Sequence, residues 1–430
     1  MTSIQRVTGM QDVLPEERQY IDWIVATAND VANRFGFQRL DVPVMEYTEL
    51  FVRGIGTGSD FFVQKEMYTI EEDEDTSLTL RPDFTASMVR AYIENGLYNE
   101  TPTVKLYTIG PLFRRERPQA GRFRQHTQFN CEILGEDDPA ADVEIMMLAR
   151  TLVRQLGYRG VNFQLNSTGC RQCKPAYVEK LKAYLMDHWD DLAEVDRERM
   201  RRNPLRILDS KEPGMDELLD NAPHIADHLC QDCADHFAHL QELLDALEVP
   251  YSVNFRLVRG IDYYVKTVFE VWAEGIGAQS ALLGGGRYDG LAEDIGGPST
   301  PGVGVGIGVE RVMLGLQERG IEAPPLLPPL VMITHFGGKT KVESVRLVHT
   351  LREAGISAVV AFARQDRSMK SQMREADKRN VRFTLILGED ELANHTVAVR
   401  AMAGGEQTTV RRDQLVEWLQ EKQDAAVQAR

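Results

Sequence analysis

Arg114, Arg115, Arg117, Arg122 and Arg124 fall within eleven residues of this chain, with Glu116 among them. A guanidinium is a planar, permanently charged fork that meets phosphate oxygens two at a time. Such a cluster reads either as a phosphate site or as a solvated charged hairpin. The residues that follow favour the first reading. Gln128, Asn130 and Glu132 alternate with Phe129, Cys131 and Ile133, so one face of a strand is polar and the other apolar. A polar sheet face backed by packing is a rigid platform for a small-molecule site.

A second group is LVRGIDYY, where Arg259 and Asp262 stand in an otherwise apolar strand beside Tyr263 and Tyr264. A buried arginine is costly unless paired or functional, so the choice is an ion pair with Asp262 or a ligand contact. GGGRYDG and GVGVGIGVER are glycine-dense, which lets backbone approach a ligand closely. Arg311 then opens a helix, where side chain and helix dipole can meet a phosphate together. No GxxxxGK[ST] loop occurs, nor a GxGxxG placed after a strand with an acidic residue some twenty positions on. Cys170, Cys173, Cys230 and Cys233 form two CxxC pairs. They are able to hold Zn²⁺ tetrahedrally, but with 56 residues between the pairs the favoured reading is four reduced thiols at the base of an insertion. Cys131 reads as packing.

These groups need elements to position them. Residues 17–35 carry apolar residues at helical spacing, and Gly36 ends the run. FQRLDVPVME is a short strand with Pro43 inside, which suggests an edge or an interface. LTLRPDFTASMVRAYIEN reads as strand, turn and helix, and the arginine cluster sits in a long antiparallel hairpin. EEDEDT at 71–76 reads as a solvated turn. A helix follows from about Ala140 to Leu156. Residues 166–248 are rich in helix formers and charge, and strands return after them. PPLLPPL at 324–330 is a linker, and beyond it strands and helices alternate as in a small, largely parallel sheet.

Composition sets the frame. The chain has 430 residues, 43% hydrophobic and 27% charged, enough for two to four domains. No stretch of about 18 apolar residues suggests a membrane span, and the N-terminus lacks the apolar core of a signal peptide. A cytoplasmic location is therefore expected, with no membrane partner. Net charge is −16, which on its face disfavours nucleic acid. Residues 335–430, however, hold 16 Lys and Arg against 13 Asp and Glu, so the deficit lies entirely in the preceding part. Net charge does not decide the partner.

Taken together, these segments resemble the class II aminoacyl-tRNA synthetases, and within them the histidyl-tRNA synthetase family, over essentially the whole chain. The helix with Pro43 resembles motif 1, GPLFRRERPQAGRFRQHTQ motif 2 and GVGVGIGVERVML motif 3. LVRGIDYY and GGGRYDG resemble the two histidine-specific peptides, and RSMKSQMREADKRN and LILGEDE the anticodon-binding domain. The resemblance implies an α+β fold. An antiparallel six- or seven-stranded catalytic core would span 1–165 and 249–323, interrupted by a helical insertion at 166–248. The linker at 324–330 would lead to a C-terminal α/β anticodon-binding domain at 331–430. It implies a homodimer acting on ATP with Mg²⁺, L-histidine and tRNA(His) through a histidyl-adenylate.

Carried over by motif, Arg114 holds the α-phosphate, Arg311 the far end of the triphosphate, and Arg259 neutralises charge near the α-phosphate. Glu116 and Arg122 join the ATP site, and the loop 117–124 meets the acceptor end of the tRNA. Asp83, Thr85 and Gln128 bind the histidine amino end, Glu132 and Tyr264 read the imidazole, Arg259 and Tyr263 also belong to the histidine site, and Tyr107 is a neighbour. Asp83-Phe84 departs from the commoner Glu-Gly of the family. The alternative is a synthetase-like regulatory subunit of ATP phosphoribosyltransferase, which typically lacks the C-terminal domain and intact catalytic arginines. This chain has Arg114, Arg259, Arg311 and residues 331–430.

Overall fold

The computed structural model describes residues 4–55, 66–73, 76–115, 123–273, 281–362 and 367–428. They form two compact units that divide between Pro324 and Pro325. No described helix is long and apolar enough to cross a membrane.

In the first unit the elements run α1 (Pro15–Arg34), β1 (Gln38–Arg39), β2 (Met45–Tyr47), α2 (Thr48–Ile55), β3 (Tyr68–Glu71), β4 (Ser77–Leu80), α3 (Thr85–Glu94), β5 (Val104–Phe113), β6 (Gln125–Leu134), α4 (Pro139–Gln155) and β7 (Asn162–Ser167). After β7 come α5 (Lys174–Asp187), α6 (Glu194–Arg202), α7 (Asp216–Asp220), α8 (Gln231–Ala246), β8 (Tyr251–Val253), β9 (Val265–Trp272), β10 (Ala281–Arg287), α9 (Leu291–Asp294), β11 (Gly302–Gly308) and α10 (Val309–Glu318).

Eight strands make the main sheet in the order β1-β5-β6-β11-β10-β9-β7-β8. The interior pairings are all antiparallel, and only the edge pairs β1/β5 and β7/β8 are parallel. The sheet is wider than six or seven strands because two very short strands add at its edges. Pro43 splits the expected first strand into β1 and β2, which join different sheets. Proline's missing N–H cannot serve a continuous ladder. The segment 257–264 is loop and turn rather than strand, which begins only at Val265.

Strand alternation sorts side chains to the two faces. On one face Phe129, Cys131 and Ile133 of β6 pack with Ile21 and Ile24 of α1, Met146 and Leu152 of α4, Phe237 and Leu240 of α8, and Val312 and Leu316 of α10. The helix α8 therefore packs into this core, whereas residues between Tyr177 and Ile225 gather around a cluster of their own. The opposite face carries a smaller cluster with Phe84, Met88, Tyr263, Tyr264 and Tyr288. It leaves the middle of the sheet open.

Arg287 of GGGRYDG is fully buried. It pairs with Asp142 and donates from Nη1 to the Glu136 carbonyl at 2.8 Å and to Asp289 at 3.2 Å. Its role is to clamp β10 to the start of α4. Removing one partner of such a pair would strand a buried charge.

In the second unit β12 (Val331–His335), α11 (Gly338–Glu353), β13 (Ala358–Val360), α12 (Met369–Lys378), β14 (Phe383–Leu387), α13 (Glu389–Ala393), β15 (Thr396–Ala401), β16 (Gln407–Arg411) and α14 (Leu415–Gln428) build a five-stranded sheet. Two pairings are parallel and two antiparallel, so the sheet is mixed rather than largely parallel. The reason is connection length. A parallel return needs a crossover of a dozen or more residues, and neither the β14–β15 nor the β15–β16 connection has one.

Candidate active site

A cavity of about 740 Å³ opens over the uncovered middle of the main sheet. Asp83 and Thr85 enter at the start of α3, Arg114 from the end of β5, and His126, Gln128 and Asn130 from β6. Arg259, Tyr263 and Tyr264 come from the loop before β9, Glu270 from β9, Tyr288 from the turn after β10, and Glu310 and Arg311 from α10. Val195, Arg199, Asn203, Arg206 and Asp209 form a further wall. Nothing in the spacing of these last residues marked them, because they approach only through the packing of the 177–225 segment.

The closed end is a network around Glu132. This carboxylate is fully buried behind the lining. It accepts from Tyr288 Oη at 2.6 Å, Thr85 Oγ1 at 2.7 Å and Asn130 Nδ2 at 3.1 Å. Burial, opposed by those bonds, pushes Glu132 up to about 7. Three donors occupy three of roughly four lone-pair positions, leaving one acceptor site. Asp83 is also raised by burial, with the Arg114 charge and backbone N–H groups pulling the other way. Tyr263 and Tyr264 pack with ring centroids 4.7 Å apart, and Tyr263 meets Tyr288 edge-on at 5.7 Å.

The glycines of β10 and β11 serve this network. A methyl on Gly304 would overlap Glu132 Oε2 and lie 2.8 Å from the Cys131 carbonyl. On Gly306 it would lie 2.7 Å from Gln128 Nε2, and on Gly284 it would collide with the Arg259 guanidinium. The glycine-dense strands are thus a floor on which the site's own side chains lie, rather than only a path for ligand.

The open end is cationic. Arg259 donates from Nη1 to Glu270 Oε1 at 3.0 Å, and its buried Nε has no hydrogen-bond partner among the described residues. Its partner is not Asp262, which faces Asn203 Nδ2 at 3.1 Å instead. The segment turns at 260–263, so side chains close in sequence diverge. Arg114 donates from Nε to the Pro82 carbonyl at 3.0 Å, and Arg311 from Nη1 to the Ala281 carbonyl at 3.2 Å. Glu310 accepts the Thr127 N–H at 2.8 Å, locking β6 to α10. His126 is driven down to about 3, by burial first and then by Arg114, so it stays neutral and adds no charge.

Of the residues singled out from sequence, Arg114, Arg259, Arg311, Asp83, Thr85, Gln128, Tyr263 and Tyr264 line this one cavity, and Glu132 is bonded to its lining. Tyr107 does not join them. It is one residue out of phase with Leu106, the partner of Glu132, so its ring faces Phe129 in the helix-covered core and its hydroxyl donates to Asn29. Glu116, Arg122 and the loop tip around 117–121 lie outside the described residues. Sequence reasoning passed over Tyr288, although it stands in GGGRYDG. It placed Asn130 on the polar phase of β6 without giving it a role, and it passed over His126 and Glu270.

Comparison with known proteins adds a further observation. Residues 9–312 match the family model described as histidyl-tRNA synthetase, and residues 331–422 match the anticodon binding domain. The histidine–tRNA ligase of Pelotomaculum thermopropionicum is 44% identical over 97% of this chain and 97% of its own length. That of Moorella thermoacetica is 45% identical over 94% and 95%. Among solved structures, the apo histidyl-tRNA synthetase of S. aureus aligns with a TM-score of 0.80 at 31% identity, covering 97% of this chain and all of that one.

Proposed function

The chain belongs to the histidyl-tRNA synthetase family, and from that premise we infer that it attaches L-histidine to tRNA(His) in two ATP-dependent steps. First, a carboxylate oxygen of histidine attacks the α-phosphorus of ATP. The bond to the β-phosphate oxygen breaks, and pyrophosphate leaves with the electron pair. Then the terminal ribose hydroxyl of the tRNA attacks the carbonyl carbon of histidyl-adenylate, gives up its proton, and AMP departs. Mg²⁺ enters with ATP as part of the substrate.

One observation carries this reading. Three arginines from separate segments meet the buried Glu132 network in a single cavity. Arg114 and Arg259 suit the α-phosphate, where negative charge grows as the pentacoordinate state forms, and Arg311 the far end of the triphosphate. Fixed charges already aimed at that point lower the barrier without rearrangement. The orphaned Nε of Arg259 is a donor that a carboxylate or phosphate oxygen would satisfy.

Asp83, Thr85 and Gln128 suit the amino group. The last acceptor site on Glu132 suits an imidazole N–H, with Tyr264 at the other ring nitrogen. A site of paired polar groups rejects analogues that leave them unpaired by about 10⁴-fold. Asp83 keeps the carboxylate of the commoner glutamate, and Phe84 is fully buried in the apolar cluster rather than in the cavity.

For tRNA, the exposed Lys370, Arg374 and Lys378 of α12 with Arg379 just after it, and the exposed Phe362 of the same unit, would offer phosphate and base-stacking contacts. Val44, Met45 and Tyr47 leave apolar surface exposed beside Pro43, which supports a homodimer through that segment. Full-length relatives named as ligases, and the match at 331–422, favour charging over a regulatory subunit.

The test is amino-acid-dependent exchange of pyrophosphate into ATP with each of the twenty amino acids and no tRNA. Exchange with histidine alone is expected. Histidine binding without any exchange would overturn the enzymatic reading.

A further inference from the structure

The pairs Cys170/Cys173 and Cys230/Cys233 are far apart in sequence and none of the four lines the cavity above, yet their four Sγ atoms all lie within 4.8 Å of one another. None is in a disulfide. Cys170 is 3.7 Å from Cys173 and 3.7 Å from Cys230, and Cys173 is 3.8 Å from Cys233. Four sulfurs bound to one Zn²⁺ at about 2.3 Å stand about 3.8 Å apart along every edge of the tetrahedron. Four thiols merely packed in a square of that side would have diagonals of about 5.2–5.4 Å, longer than any separation here. The cluster is therefore folded out of plane toward a tetrahedron.

Its surroundings fit a metal as well. The Cys170 N–H points to Cys173 Sγ at 3.2 Å and the Gln172 N–H to Cys170 Sγ at 3.4 Å, the outer-shell bonds that orient ligating sulfur. Cys173 stands at the N-cap position of α5 and Cys230 at that of α8, so both pairs sit where helix dipoles favour thiolates.

We propose that these four cysteines bind one structural Zn²⁺ that pins the helical segment to the catalytic sheet and thereby holds the histidine-reading loop. The ion would tie α5, whose Tyr177, Leu181 and Leu185 belong to the 177–225 cluster, to α8, whose Phe237 and Leu240 belong to the main core. Thr168 Oγ1 and Lys174 Nζ, on either side of the first CxxC, both donate to the carbonyl of Tyr264 at 3.2 Å. Thr168 and Gly169 also exchange backbone bonds with Lys266, which is held at a φ of 48°. A non-glycine residue in that region persists only where its surroundings enforce it.

The metal assignment stands on geometry alone. Its effect on histidine rests on the functional reading above, so the two are read separately. Full-length protein purified without metal-affinity resin is analysed for metals, then compared with C173S/C233S. About one zinc per chain, lost in the double variant, is the expected result. The variant's KM for histidine should rise about tenfold, with KM for ATP within about twofold. Should the variant fail to fold, stripped wild type is reloaded with Co²⁺ and examined for the absorption of a four-thiolate tetrahedral site. Four freely titrating thiols with no metal, iron in place of zinc, or no such cobalt spectrum would overturn the site. Zinc loss with unchanged KM for histidine would overturn the positioning role.

Discussion

At the closed end of the cavity a fully buried carboxylate takes three bonds from uncharged donors, Tyr288, Thr85 and Asn130. At the open end Arg114, Arg259 and Arg311 remain partly exposed, each anchored by a bond to a carbonyl or to Glu270. In the first arrangement three protein donors already occupy most of the lone pairs, which under the proposed function would make it selective for a correctly placed N–H. It is also sensitive to pH, since Glu132 sits at about 7. The second arrangement carries charge that no accessible pH removes, which under the proposed function would serve the triphosphate. Under the proposed function, selection and catalysis would be separated in space, and perturbations at the two ends should separate in the kinetics.

The largest expected effect is at the open end. Arg259→Ala should lower kcat for histidine-dependent pyrophosphate exchange by about 10³-fold or more, the scale of losing a charge aimed at the transferring phosphorus. Direct histidine binding by calorimetry should change far less. If kcat survives and only histidine affinity falls, the division between the two ends is wrong.

Gly304→Ala comes next and acts at the closed end. Its methyl cannot coexist with Glu132 Oε2 and the Cys131 carbonyl, so overpacking should cost about 1–3 kcal/mol in chemical denaturation. KM for histidine should rise about 100-fold while KM for ATP stays near wild type. Equal damage to both substrates would show that the glycine floor supports the whole cavity rather than one end.

Tyr288→Phe is the mildest. Losing one hydrogen bond to a buried carboxylate should raise KM for histidine by about tenfold. The Tyr288 hydroxyl holds Glu132 below where burial alone would put it. Its removal raises that value further, so the ionised acceptor is lost earlier as pH falls. The acid limb of kcat/KM for histidine should therefore move to higher pH in the variant. An unmoved limb would mean that Glu132 is not the group that histidine reads.

Much of this site was legible in the chain because strand periodicity is strict. The alternation of Gln128, Asn130 and Glu132 with Phe129, Cys131 and Ile133 fixes which groups face the cavity once the segment is a strand. Tyr107 shows the limit of motif carry-over, since an adjacent residue of a strand points to the opposite face. Arg259 shows another. Read as a strand, LVRGIDYY placed Arg259 near Asp262, and only the turn at 260–263 sends one to Glu270 and the other to Asn203.

The sequence by itself determined the polar and apolar phases of each strand, the glycine-rich floor and the family motifs. These are local properties, carried by residue type and by periods of two or 3.6. Tertiary structure alone decided what lies next to what. It added Arg199 and Arg206 of the 177–225 segment to a wall of the cavity and put Tyr288 beside Glu132, 156 residues away. It also brought two CxxC pairs, 60 residues apart, into one compact cluster of sulfurs. Such contacts follow from strand order and from how helices pack on a sheet, and many local patterns are compatible with more than one such order.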